Sequence, residues 1–436
     1  MSLPRYAEYK QTGASWLDEI PSHWHVHQSR RLFEQRRDAS QPGDEQLSAT
    51  QKYGVIPQRL FMEQEDQRVV LALSGLDNFK RVQPDDFVIS LRSFQGGIER
   101  SRYAGCVSPA YTVLRPQSEL VAGFWEHFLK SAKYISALQT TTDGIRDGKN
   151  ISYGQFGALC IPLPPPEEQA AIAAFLNRET AKIDRLIAEQ ERLIALLAEK
   201  LQATVSHAVT KGLNPNVSMK DSGVAWLGKV PSHWGLKQLK HVAQPGTAIT
   251  YGIVQAGPHY EGGVPYIKTS DMAGDRLPLD GYALTSPDID ASYSRSKVAA
   301  GDLVIAIRAT VGKCLPVPPE LAGANLTQGT AKVSPGEDVT PAFLLGSLRS
   351  SATQAYFDSM AKGATFKEIT LDALRRTPVL VPPMHEQLQI ATFIDGEASK
   401  LSTLQVGAEH TVVLLRERRS ALITAAVTGQ IDVRDT

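Results

Sequence analysis

The chain has 436 residues, 42% of them hydrophobic and 21% charged, proportions of a globular protein long enough for two or three separate cores. Lys plus Arg and Asp plus Glu each total 46, so the zero net charge excludes a uniformly basic nucleic-acid binder, although a basic groove balanced by acidic stretches such as Glu63–Gln67 fits the sum. No run approaches the roughly 18 consecutive apolar residues of a membrane span. Cys106, Cys160 and Cys314 have no C-x-x-C spacing and argue against a disulfide framework or zinc knuckle.

The polar start, Met1–Gly13, has no apolar signal core, which predicts a cytoplasmic protein. Lys10–Trp24 then reads KQTGASWLDEIPSHW. Residues 1–163 continue with short β-like runs bounded by turn residues: Phe87–Leu91, Tyr111–Leu114 and Leu159–Leu163. A helical stretch is expected near Val121–Leu138. At Pro164 the style changes. Three prolines followed by Glu167, Glu168 and Gln169 suit a helix start, where N–H groups lack partners and the dipole is positive. From Ala170 to about Val209 there is no proline or glycine, and Ile172, Leu176, Ile183, Leu186, Leu193, Leu197 and Leu201 form an apolar seam. A helix of that length is a rod of roughly 60–65 Å. Gly212 ends it.

The chain then repeats itself. Lys220–Trp234 reads KDSGVAWLGKVPSHW, 210 positions after Lys10–Trp24, and residues 214–381 follow in the style of 1–163. Strand-like runs fall at Leu303–Ile307, Ala331–Val333 and Val379–Val381, with helix near Pro341–Met360. Asp86–Arg92 lies over Asp302–Arg308. Residues 382–436 open on PPMHEQ and carry a second seam, Ile390, Ile394, Leu401, Leu404, Leu415 and Leu422, ending at Gly429. Two ordered segments that both recur make two copies of one cassette, far longer than a solenoid repeat. Each seam would be wet on a lone helix, so the two helices are expected to pair, antiparallel, about a pseudo-two-fold axis. The expected fold is α/β (α+β): two mixed α/β domains, 1–163 and 214–381, separated by antiparallel coiled-coil helices, 164–213 and 382–436. Two similar, non-identical domains on a stiff spacer suit a bipartite, asymmetric DNA target, with half-sites a turn of ~34 Å or a multiple apart.

At this point the chain resembles the specificity (S) subunit of type I restriction–modification systems. The resemblance rests on W-L-x-x-[IV]-P-S-H-W at Trp16–Trp24 and Trp226–Trp234, on P-P-x-x-E-Q at Pro164–Gln169 and Pro382–Gln387, and on the similar endings Ala208–Leu213 and Ala426–Ile431. It implies a non-catalytic subunit whose two target-recognition domains read a split double-stranded DNA sequence. Its paired helices would act as ruler and as docking surface for two modification (methyltransferase) subunits, with restriction subunits added in the cleaving assembly. S-adenosylmethionine and ATP would belong to those partners. Consistently, the sequence has no G-x-x-x-x-G-K-[ST], no N-P-P-F or D-P-P-Y tetrad and no G-x-G-x-x-G. The rival readings are a coiled-coil scaffold that never touches DNA and a self-sufficient nuclease or methyltransferase.

His23, His25 and His27 alternate as strand-borne metal ligands would, but only the first recurs, as His233, which favours a structural role. Trp16, Trp24, Trp226 and Trp234 belong to the shared framework and are expected to anchor each domain to the helices. Readout belongs where the copies differ. The candidates are Arg92, Ser93, Gln95, Arg100, Arg102, Tyr103, Arg146 and Lys149 in the first copy, and Lys268, Thr269, Ser270, Arg308, Lys313 and Lys367 in the second. These side chains offer donors for guanine, amide groups for adenine and cations or hydroxyls for phosphate.

Overall fold

A computed structural model describes residues 4–65, 78–90, 97–141, 151–363 and 367–434. Arg92, Ser93, Gln95, Arg146 and Lys149 lie outside the described residues. The chain divides into two compact units, residues 1–191 with 410–436, and residues 192–409. Each unit therefore combines one cassette's globular part with a segment of both long helices.

In the first unit a hairpin, Tyr9–Ala14 with Leu17–Pro21, precedes strand His25–Gln28, which pairs antiparallel with Cys160–Leu163. The central four-stranded sheet has the order Phe33–Arg36, Thr112–Pro116, Phe87–Ile89, Ile98–Arg100. The second unit repeats this. Its hairpin is Met219–Asp221 with Lys229–Pro231, Gly235–Gln238 pairs with Pro378–Val381, and the sheet runs Thr250–Tyr251, Thr330–Val333, Leu303–Ala306, Cys314–Pro316. The run FVI reads as continuously apolar because both sheet faces are covered. Phe87 and Ile89 join a core with Trp24, Phe33, Trp125 and Phe128, while Val88 faces a second core with Leu47, Val82 and Val107. Leu303 and Ile305 against Val304 and Ala306 divide in the same way.

The helical stretches expected near 121–138 and 341–360 are each broken in two. The segments are Ala122–Phe128 and Ala132–Thr140, and Pro341–Arg349 and Ser351–Met360. Ser131 and Ser350 stand at the breaks with extended ψ, and the Ser350 hydroxyl accepts the Thr353 N–H.

The long helices span Pro166–Lys211 and Met384–Val427. Within the first unit they run antiparallel: Asp184 meets Arg419 (Oδ1···Nε 2.7 Å) and Glu191 meets Arg416 (2.9 Å). Within the second unit Val205, Val209 and Ile394 all lie against Gly346. The expected seams need a correction. Ile172, Leu176, Ile183, Leu197, Ile390 and Leu401 are buried, and Leu201, Ile394, Leu415 and Leu422 are half-buried. Leu186, Leu193 and Leu404, by contrast, are exposed at 51%, 41% and 57%. The less exposed positions are Thr180, Ile183, Ile187, Gln190, Ile194 and Leu197 on one helix and Leu401, Gln405, Ala408 and Val412 on the other. That is a four–three alternation, which keeps a seam facing its partner.

Candidate nucleic-acid interface

The duplicated motifs are one lock, made twice. Gln169 is fully buried, and its Oε1 accepts the Val121 N–H (3.0 Å) and the Trp125 indole N–H (3.1 Å) while its Nε2 donates to Pro164 O (2.9 Å). Gln387, also fully buried, accepts the Thr340 N–H (2.8 Å) and donates to Asp338 O and Pro382 O. Val121 and Thr340 are the N-cap residues of matching domain helices, so each glutamine ties a domain to its long helix. The adjacent glutamates take the P-S-H-W histidines: His23 Nε2 lies 2.8 Å from Glu168 and His233 Nε2 lies 2.6 Å from Glu386. Trp24 and Trp234 are fully buried against the left-handed glycines that end the helices, Gly429 (φ 73°) and Gly212 (φ 77°). The expectation of a structural histidine and of anchoring tryptophans holds at these residues. This framework leaves readout to the loops.

In the second unit the candidates converge at one end of strands Val264–Ile267 and Leu303–Ala306. The N–H groups of Ile307 and Arg308 both reach Gly329 O (2.9 and 3.3 Å), and Thr269 and Arg308 flank that glycine. The Ala309 N–H donates to Lys367 O (3.1 Å), and Lys313 Nζ reaches Ala273 O (3.1 Å), just beyond Lys268, Thr269 and Ser270. Arg308, Ala309, Lys367 and Glu368 line a cavity of about 400 Å³. Ala309 has φ 60°, a left-handed conformation costing a residue with a Cβ about 1–2 kcal/mol. The cations are engaged locally, Arg308 with Glu368 (3.1 Å) and Lys367 with Asp358 (3.2 Å). Gln328, in the turn before Gly329, belongs beside them; the available signal was a polar amide next to a glycine that the backbone closes upon.

In the first unit Arg100 and Arg102 converge on Glu126, and Arg100 also holds Asp85 (2.6 Å). Arg100 is one-fifth exposed and serves the sheet-to-helix contact, whereas Arg102 is 60% exposed. Tyr103 is partly exposed, with its carbonyl accepting the Ser101 hydroxyl. Neighbouring Glu99 is buried in the edge strand, and burial pushes its carboxyl up to about 7 despite Lys130 Nζ at 2.5 Å.

Residues 231–402 match the type I restriction modification DNA specificity domain. That match runs from the second P-S-H-W into the second long helix, across the lock and the strand-end cluster. The type I restriction enzyme EcoBI specificity subunit of Escherichia coli is 24% identical over 313 residues, 71% of this chain and 65% of that one. The EcoKI specificity subunit of E. coli (strain K12) is 23% identical over 374 residues, 81% and 76% of the two chains. Over residues 231–402 the chain is thus similar to the DNA specificity domain of type I restriction–modification systems, and over most of its length to two of their specificity subunits. The fold agrees. A chain solved in work on assembly and conformational transition of the type I R-M system superposes with a TM-score of 0.70 at 16% identity, covering 94% of this chain and 99% of that chain. The HsdS subunit from Thermoanaerobacter tengcongensis gives 0.53 at 17% identity, covering 94% and 98%. Among the described residues no helix is long and apolar enough to cross a membrane.

Proposed function

We propose that this chain is the non-catalytic specificity subunit of a type I restriction–modification system and reads a bipartite, asymmetric double-stranded DNA target in the cytoplasm, one half-site per unit, through recognition domains 1–163 and 214–381. The helices 164–213 and 382–436 would set the gap and dock two modification subunits, with restriction subunits joining in the cleaving assembly. S-adenosylmethionine and ATP would be bound by those partners.

One observation carries this reading: the glutamine and histidine hydrogen bonds of the framework recur in both units, while the polar residues that follow the central strands differ in sequence. A shared framework cannot specify two different half-sites; loops of differing sequence can. In the second unit Lys268, Arg308, Lys313 and Lys367 would meet phosphate, with Thr269, Ser270 and Gln328 facing base edges. Exposed ion pairs contribute only about 0–1 kcal/mol, so phosphate can take Arg308 and Lys367 from Glu368 and Asp358. The strained turn at Ala309 is the kind of backbone outlier that clusters at functional sites.

The test is a domain exchange. Replacing residues 214–381 with the corresponding segment of another specificity subunit, then mapping methylated adenines, should change one half of the target and leave the other intact. Change in both halves, or in neither, would overturn the assignment.

A further inference from the structure

The two locks are filled differently. In the first unit Tyr6 is buried, and its hydroxyl donates to Glu168. Its ring lies 5.8 Å from that of His23 and 5.9 Å from Trp24, with the Arg434 guanidinium 5.1 Å from its centroid. Trp24 Nε1 correspondingly lacks a partner. In the second unit the equivalent residue is Asn216. The register is set by backbone geometry, since Ser22 N–H to Glu8 O recurs as Ser232 N–H to Ser218 O. Asn216 is exposed, and beside Glu386 there is a cavity of about 230 Å³ lined by Leu213, Pro231, His233, His385, Glu386 and Ile390. The Trp234 indole donates to Glu386 Oε2 (2.9 Å). One carboxylate thus takes its second donor from a phenol in the first unit and from an indole in the second.

We propose that this cavity is a docking site for a tyrosine side chain of a partner polypeptide, received as the first unit receives Tyr6. Its volume exceeds the ~150 Å³ of an engineered cavity that holds benzene. Glu386 supplies the hydroxyl acceptor, and a charge-assisted bond of that kind is stronger than a neutral one. Leu213, which lines the cavity, is 42% exposed. A polypeptide around the tyrosine would cover that exposed leucine; a free phenol would leave it wet. The site is independent of DNA reading, which stands if this proposal fails.

The experiment uses the full chain with isotope-labelled indole N–H groups, titrated with the capped tripeptide Gly-Tyr-Gly and its phenylalanine counterpart. The tyrosine peptide should shift the Trp234 indole resonance, as the phenol displaces it from Glu386, and bind about tenfold more tightly than the phenylalanine peptide. Asn216→Tyr should fill the cavity from within, raise the thermal midpoint and abolish the response. Gln389→Trp, which blocks the cavity from the exposed side of the helix, should also abolish it. Equal binding of the two peptides, or an undiminished response in the blocked variants, would overturn the proposal. A response to p-cresol without one to the tyrosine peptide would overturn it in favour of a small phenol.

Discussion

Gln169 and Gln387 each satisfy three polar groups that folding has removed from water, including an N–H at a helix start. Truncating either leaves those groups buried and unpaired. Gln169→Ala and Gln387→Ala should each cost about 2–4 kcal/mol in urea unfolding, against a few tenths for an exposed neighbour such as Gln389→Ala. Glu99 gives a pH signature. Its folded pKa, about 7, lies above the ordinary carboxyl value, so its favourable contribution is full below about pH 4.5 and is lost as pH rises through 7. Glu99→Gln should flatten that loss, and the stability difference between variant and native chain should change by ~3 kcal/mol between pH 4.5 and 8. Glu386 moves the other way. Desolvation pushes its carboxyl up, but hydrogen bonds from Trp234 and His233 outweigh this and hold it below the usual range, so its contribution is lost on acidification. The P-S-H-W and P-P-x-x-E-Q motifs were legible separately. That the histidine of one meets the glutamate of the other, 145 residues away in the first unit, was not.

At the scale of elements, the strands were legible because their apolar runs are bounded by turn residues: Leu303–Ile307 was expected, and Leu303–Ala306 is observed. The helix seam was legible at its ends and misphased in its middle. Leu186 and Ile187, Leu193 and Ile194, and Leu196 and Leu197 are adjacent apolar pairs, and periodicity alone accepts either member. Packing selects Ile187, Ile194 and Leu197, the positions that continue the four–three alternation from Ile183. Leu197→Ala should therefore cost about 2–3 kcal/mol by calorimetry or denaturant unfolding, and Leu193→Ala less than about 0.5. The exposed members are then free to meet another chain.

At the scale of the molecule, each unit has its own large core around a buried tryptophan, Trp24 or Trp234, and each core recruits residues from both long helices. Separate cores predict separable responses. Gln387→Ala should accelerate amide exchange within residues 192–409 and leave residues 1–191 and 410–436 at native rates. By itself the sequence determined that the chain is two copies of one cassette, which segments are framework, and where the helices start and stop, because prolines, glycines and repeated motifs act locally. Tertiary structure decided which apolar positions face a partner, that each unit takes segments from both helices, and that Lys268, Arg308, Lys313 and Lys367 gather near the ends of strands from two different sheets. These are relations between residues distant in the chain, and they depend on how elements pack, a quantity no local pattern encodes.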